Sequence, residues 1–127
     1  MNYLIDTNII IWYLESNEKL PVEIRNAITN ADNDIFISIV SFWEIAIKYS
    51  LGRLDFPKPL NEIFDELSDN DYFKILPLKQ NHILTMTALP YIHRDPFDRL
   101  IYSQARSENI KFLYTDEIFN KYEKDIK

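Results

Sequence analysis

The sequence predicts an α/β fold: a mainly parallel sheet of four or five strands flanked by helices. Three features carry that prediction. Short apolar runs alternate with stretches of helical periodicity along the whole chain. The runs are rich in β-branched and aromatic residues, which favours strand over helix. The length of 127 residues with 46% hydrophobic content supports one folded domain, residues 1–127, with a core that needs no covalent staples.

Taken in order, Tyr3-Leu4-Ile5 reads as a buried strand and Asn8–Glu15 as a helix apolar nearly all round. A second helix is expected over Pro21–Asn30, with proline at its first position, where the missing N–H costs nothing. Ile35-Phe36-Ile37 is the second strand. Ser41–Leu51 follows as a helix, closed by the chain's only glycine, Gly52. Phe56-Pro57-Lys58-Pro59 is extended, since residues before proline avoid the helical region. In the acidic stretch Glu62–Asp71, Ile63, Phe64 and Leu67 recur at helical spacing, the pattern of an amphipathic helix with a solvated face. Tyr72–Leu76 is the third strand and Asn81–Leu89 a helix. Pro96–Glu108 is a helix with Phe97, Leu100, Ile101 and Ala105 on one face. Ile110–Tyr114 is the fourth strand, and a short helix begins near Glu117. Right-handed crossovers then leave a parallel sheet covered on both faces, whose ligands bind outside the carboxyl ends of the strands.

Composition narrows the function. No cysteine means no disulfide, no thiol nucleophile and no thiolate metal site. One glycine excludes a P-loop and a GxGxxG turn, which need several to let the backbone approach phosphates. The N-terminus lacks a basic leader, and the most apolar run, Ile9–Leu14, is far short of the ~20 residues that span a bilayer. A soluble cytoplasmic protein with no membrane partner is expected. The net charge of −6 argues at first sight against a nucleic-acid partner.

The placement of the acids alters that inference. Asp6 directly follows the first strand and Asp116 the fourth; Glu44 opens the helix after the second; Asp95 and Asp98 open the helix before the fourth. In a parallel sheet, Asp6, Glu44 and Asp116 share the carboxyl edge. Each acid has a structural use on its own. Ser41-Phe42-Trp43-Glu44 reads as a capping box. Asp95-Pro96 reads as an N-cap followed by a first-position proline, which would put Asp98 at a dipole-favoured third position. Asp6 and Asp116 can cap the helices that follow them. Together they need another explanation. A cap contributes ~1 kcal/mol, whereas two like charges about 4 Å apart repel by on the order of 4 kcal/mol at an effective dielectric of 20. A cluster of carboxylates without cysteine or paired histidines suits a hard divalent cation, Mg²⁺ or Mn²⁺, and such a site suits phosphodiester hydrolysis. Setting the five motif acids apart from the 20 leaves 15 against 14 bases, so net charge counts prospective metal ligands as surface.

Leu4-Ile5-Asp6-Thr7-Asn8, Ser41-Phe42-Trp43-Glu44-Ile45-Ala46-Ile47-Lys48 and His93-Arg94-Asp95-Pro96-Phe97-Asp98-Arg99-Leu100-Ile101 resemble, as an ordered set, the motifs of PIN-domain ribonucleases, especially the VapC-type toxins of bacterial toxin–antitoxin pairs. Thr115-Asp116 matches the family's fourth acidic position, and the resemblance runs from about Tyr3 to Tyr122. It implies a three-layer PIN-like fold and Mg²⁺- or Mn²⁺-dependent cleavage of RNA. It also implies a cognate antitoxin and commonly a homodimer. Carried over position by position, Asp6, Glu44, Asp98 and Asp116 are the catalytic and metal-binding acids. Thr7, Asn8, Asp95 and Thr115 are in support, with Asp95 either ligand or helix cap.

Lys48, Arg94 and Arg99 lie near these motifs and are candidate RNA contacts. His82 is expected to be structural or exposed, His93 to flank the site, and Trp12 and Trp43 to sit in the core. Two other functions fit some of the residues. One is a non-catalytic interaction module that keeps only the fold. The other is an aspartate-dependent phosphatase, which resembles a DxD arrangement, although Asn8 stands where its second acid would be.

Overall fold

The computed structural model describes residues 1–93 and 95–126, the last three without their side chains. Four strands, β1 (Asn2–Ile5), β2 (Asp34–Ser38), β3 (Phe73–Leu76) and β4 (Lys111–Leu113), form one sheet in the order β3-β2-β1-β4. Every pairing is parallel, with Leu4 opposite Phe36 on one side and Phe112 on the other. The expectation of a parallel α/β sheet is therefore met at four strands.

Seven helices connect and cover it: α1 (Thr7–Leu14), α2 (Val22–Thr29), α3 (Ile39–Ser50), α4 (Leu60–Ser68), α5 (Gln80–Ala88), α6 (Pro96–Glu108) and α7 (Phe119–Ile126). Side chains alternate across a strand, so adjacent residues feed two cores. Ile5, Ile35 and Ile37 pack with Ile9 and Ile10 of α1, Ile28 of α2, Ile45 of α3, and Ile63 and Leu67 of α4. Leu4, Leu76 and Phe112 face the opposite way, against Ile101 and Tyr102 of α6 and Phe119 and Tyr122 of α7. The result is three layers. No helix among the described residues is long and apolar enough to cross a membrane.

Helix ends follow local chemistry. At the end of α3, Gly52 takes φ +69°, and the N–H groups of Gly52 and Arg53 close onto the carbonyls of Tyr49 and Lys48, the Schellman pattern that glycine permits. Asp95 caps α6 and Pro96 is its first residue, as the sequence indicates. Two starts differ from expectation. Pro21 is the cap residue of α2 rather than its first helical residue. More consequentially, α3 begins at Ile39, because β2 runs directly into it and the Ser38 hydroxyl caps it by accepting the Val40 N–H at 3.0 Å.

A buried polar network fixes α6 over the sheet. Ser38 donates to the Gln104 carbonyl oxygen, and the Gln104 amide donates to the Pro77 carbonyl at 3.3 Å. His82, fully buried, accepts the Lys79 N–H at Nδ1 and places Nε2 2.7 Å from Glu108. His82 is thus a structural residue, as expected.

The strand order determines where a ligand site falls. From β1 the chain moves outward to β2 and β3, then returns across the sheet to β4 on the other side of β1. The chain leaves β1 into α1 on one face of the sheet and β4 into α7 on the other, so the crevice opens between their carboxyl ends. Asp6 and Asp116 stand on those two ends.

Candidate active site

Asp6 is buried at the end of β1. It caps α1: Oδ1 accepts the Ile9 N–H at 2.9 Å, and Oδ2 accepts the Thr115 N–H at 3.3 Å from the loop after β4. Burial nevertheless pushes its pKa from the usual 3.8 to about 6. The two N–H donors oppose that shift, and the negative charges of Glu44 and Asp116 add to it. Thr115 supports Asp6 through its backbone. Thr7 turns its hydroxyl away, 2.9 Å from the Ser41 hydroxyl in the core, and Asn8 is exposed on the first turn of α1.

Glu44 is also buried, and its structural reading changes. With α3 starting at Ile39, Ser41 is the third helical residue and Glu44 the sixth, so the capping box does not form. One carboxylate oxygen of Glu44 meets Lys48 Nζ at 3.0 Å, and the other is buried with no hydrogen-bond partner. A buried, orphaned carboxylate oxygen is costly in a folded protein.

Asp95 and Asp98 complete the tightest group. One oxygen each from Glu44, Asp95 and Asp98 lie within 4.8 Å of one another. Asp95 Oδ1 is occupied by capping, accepting from the N–H groups of Phe97 at 2.9 Å and Asp98 at 3.4 Å. Asp95 is therefore a helix cap that also stands within the acid cluster. The Asp98 pKa rises to about 8, first through burial and then through repulsion from Asp95, Glu44 and Asp6.

Asp116 is at the rim, its side chain 51% exposed, with Oδ1 accepting the Ile118 N–H at 3.1 Å. His93 joins it to the cluster: Nε2 is 3.0 Å from Asp98 Oδ2 and 3.5 Å from Asp116 Oδ2. The four acidic positions picked from the sequence thus meet at one edge. Asp95 stands inside the tightest trio, and Asp6 and Asp116 stand beside it.

Three basic candidates have different fates. Lys48 is on the rim, paired with Glu44. Arg99 points away, with its guanidinium 4.7 Å above the Tyr91 ring and a long 3.4 Å bond to the Met86 carbonyl. Arg94 lies outside the described residues.

Trp43 departs from expectation. It is 60% exposed, edge-to-face with Phe97 at 4.9 Å, while Trp12 is half-buried against the core. The phase of α3 explains it: Phe42, Glu44 and Ile45 turn inward, which leaves Trp43 on the outer face. His93 was placed by sequence only at the flank of the site. Its signal was its position two residues before a helix-capping aspartate. Two surface clefts lie apart from the acids: about 410 Å³ lined by Leu14, Phe56 and Ile63, and about 760 Å³ lined by Arg106, Lys111 and Tyr114.

Converging carboxylates at the switch point of a parallel sheet, one with an unpaired buried oxygen, define an α/β domain whose donor set fits a hard divalent cation. The chain belongs to the PIN domain family, whose model matches residues 3–125. Its fold is similar to the crystal structure of VapBC2 from Rickettsia felis bound to a DNA fragment from their promoter. The TM-score is 0.70 at 18% identity, over 96% of this chain and 93% of that one. No curated protein matches by sequence.

Proposed function

We propose that this protein is a Mg²⁺- or Mn²⁺-dependent endoribonuclease and acts in the cytoplasm as the growth-inhibiting toxin of a toxin–antitoxin pair, with a cognate antitoxin and a second copy of itself as protein partners. The observation that carries the nuclease reading is the convergence of Asp6, Glu44, Asp95, Asp98 and Asp116 with too little internal compensation. Glu44 keeps an orphaned oxygen, and Asp98 is held well above the ordinary carboxylate range. Membership of the PIN domain family and the likeness in fold to a VapBC complex support the toxin reading.

Glu44, Asp98 and Asp95, with Asp6 and Asp116 beside them, would hold the cation. When bound, it lowers the pKa of water and neutralises charge on the phosphate. The protein's own contribution is placement. Asp6 is locked by two backbone N–H groups, and Glu44 is steadied by Lys48. Asp116, exposed at the rim, would orient the attacking water and accept its proton. Lys48 offers the rim a cation for the RNA backbone. A phosphatase reading loses its second acid at exposed Asn8.

The test is cleavage of a mixed RNA pool. Wild-type protein should cut with Mg²⁺ or Mn²⁺ and stop on addition of EDTA. Asp98→Asn should abolish cleavage and growth inhibition while its circular dichroism stays native. A folded Asp98→Asn protein that cuts at the normal rate would overturn the reading. A small adjacent reading frame encoding a DNA-binding protein would support the antitoxin assignment.

A further inference from the structure

His93 is buried on a short connection between α5 and α6, and three contacts define its orientation. Its backbone N–H donates to the Tyr122 hydroxyl at 2.9 Å, and its ring lies 5.1 Å from that of Phe119. The Asp95 N–H donates to Nδ1 at 3.1 Å. A nitrogen that accepts a hydrogen bond carries no proton, so the ring proton of the neutral imidazole is on Nε2. Nε2 is buried and makes no hydrogen bond. It faces two carboxylates at once, Asp98 Oδ2 at 3.0 Å and Asp116 Oδ2 at 3.5 Å.

Those two acids come from different parts of the chain: Asp98 from the first turn of α6, Asp116 from the loop after β4. Both carboxyl groups face the same Nε2, and neither forms an ion pair with a lysine or arginine among the described residues. An N–H so placed is within reach of one oxygen of each acid and would tie the two segments together. Outer donors of this kind orient the carboxylates that bind a metal and tune their affinity.

We propose that His93 is a positioning residue: through Nε2–H it bridges Asp98 and Asp116 and sets the geometry in which they receive a divalent cation. The inference rests on the metal-site reading above. It differs from a purely structural role, in which Nδ1 accepting the Asp95 N–H is what counts. The two roles use opposite nitrogens, and two amide substitutions separate them. His93→Gln carries an N–H donor near the Nε2 position; His93→Asn carries an acceptor near the Nδ1 position.

The experiment is calorimetric titration of each folded variant with Mn²⁺, alongside kcat and KM on RNA and thermal denaturation. His93→Asn should bind Mn²⁺ about 10–100-fold more weakly, with kcat reduced and KM little changed. His93→Gln should recover most of that affinity. The proposal is overturned if Asn restores binding and Gln does not, or if neither variant alters it. Asp98→Asn distinguishes the two levels. If it too leaves Mn²⁺ binding intact, the metal reading has failed. If it abolishes binding while the His93 variants do not, only the role of His93 has failed.

Discussion

The hydroxyls of Thr7 and Ser41 meet at 2.9 Å in the core, joining the first turn of α1 to the first turn of α3. Thr7 follows Asp6, and Ser41 lies one turn before Glu44, so this contact sets the spacing between the two most buried acids. Removing one hydroxyl leaves the other buried and unpaired, which costs about 1–3 kcal/mol. Thr7→Val and Ser41→Ala should each destabilise by that amount. The double variant should cost less than the sum of the two, because no orphaned group remains. Urea denaturation of the four proteins measures the coupling, and strict additivity would mean that the hydroxyls do not depend on each other.

Glu44→Gln separates ligand from scaffold. Glu44 accepts no backbone N–H, and one of its oxygens is buried without a partner. The amide keeps the shape and removes a buried charge, at the loss of the Lys48 ion pair. An ion pair with a partly exposed lysine contributes about 0–1 kcal/mol. Thermal stability should therefore stay within about 1 kcal/mol of wild type, while Mn²⁺ affinity falls by roughly an order of magnitude or more. Unchanged Mn²⁺ binding would leave Glu44 without a functional role.

The sheet and the acids were legible in the sequence because their signals are local. Tyr3-Leu4-Ile5 and Ile35-Phe36-Ile37 are short apolar runs rich in β-branched and aromatic residues; Asp6 follows β1 directly and Asp116 comes in the short loop after β4. The start of α3 was less legible. Ser38 and Ser41 are both competent caps, and only the uninterrupted passage from β2 into the helix selects Ser38. That three-residue difference freed Glu44 from capping, while Trp43 lies outside because Phe42, Glu44 and Ile45 take the inner face of α3. His93 needed tertiary information, since its partners Asp116 and Tyr122 are contributed by the far end of the chain.

Lys48 and Arg99 should respond differently to truncation. Lys48 is on the rim beside Glu44, whereas Arg99 is spent on the Tyr91 ring and the Met86 carbonyl. Lys48→Ala should raise KM for RNA and flatten its salt dependence, with stability nearly unchanged. Arg99→Ala should lower stability by about 1 kcal/mol through the lost cation–π contact and leave KM alone. Steady-state kinetics at several salt concentrations, with thermal melts of both variants, would reveal a reversed pattern if Arg99 reaches the substrate.

The acid cluster also fixes how stability depends on pH. In the metal-free protein Asp6 titrates near 6 and Asp98 near 8, both above the 3.8 of a free aspartate. Between about pH 4 and pH 8 the folded chain holds more protons than the unfolded one, so stability falls as pH rises through that window. The contribution is complete below the unfolded value and is lost as pH passes first 6 and then 8. For Asp6 alone the shift corresponds to on the order of 3 kcal/mol. A divalent cation reverses the slope, because it binds the deprotonated carboxylates and its stabilisation grows as protons leave. Thermal melts at about pH 5 and about pH 8 should therefore cross. In EDTA the protein is more stable at the lower pH, and the gain from added Mn²⁺ is larger at the higher. Stability that rises with pH in EDTA would mean that these carboxylates are already ionised and compensated within the protein, removing the electrostatic reason for a cation at this edge.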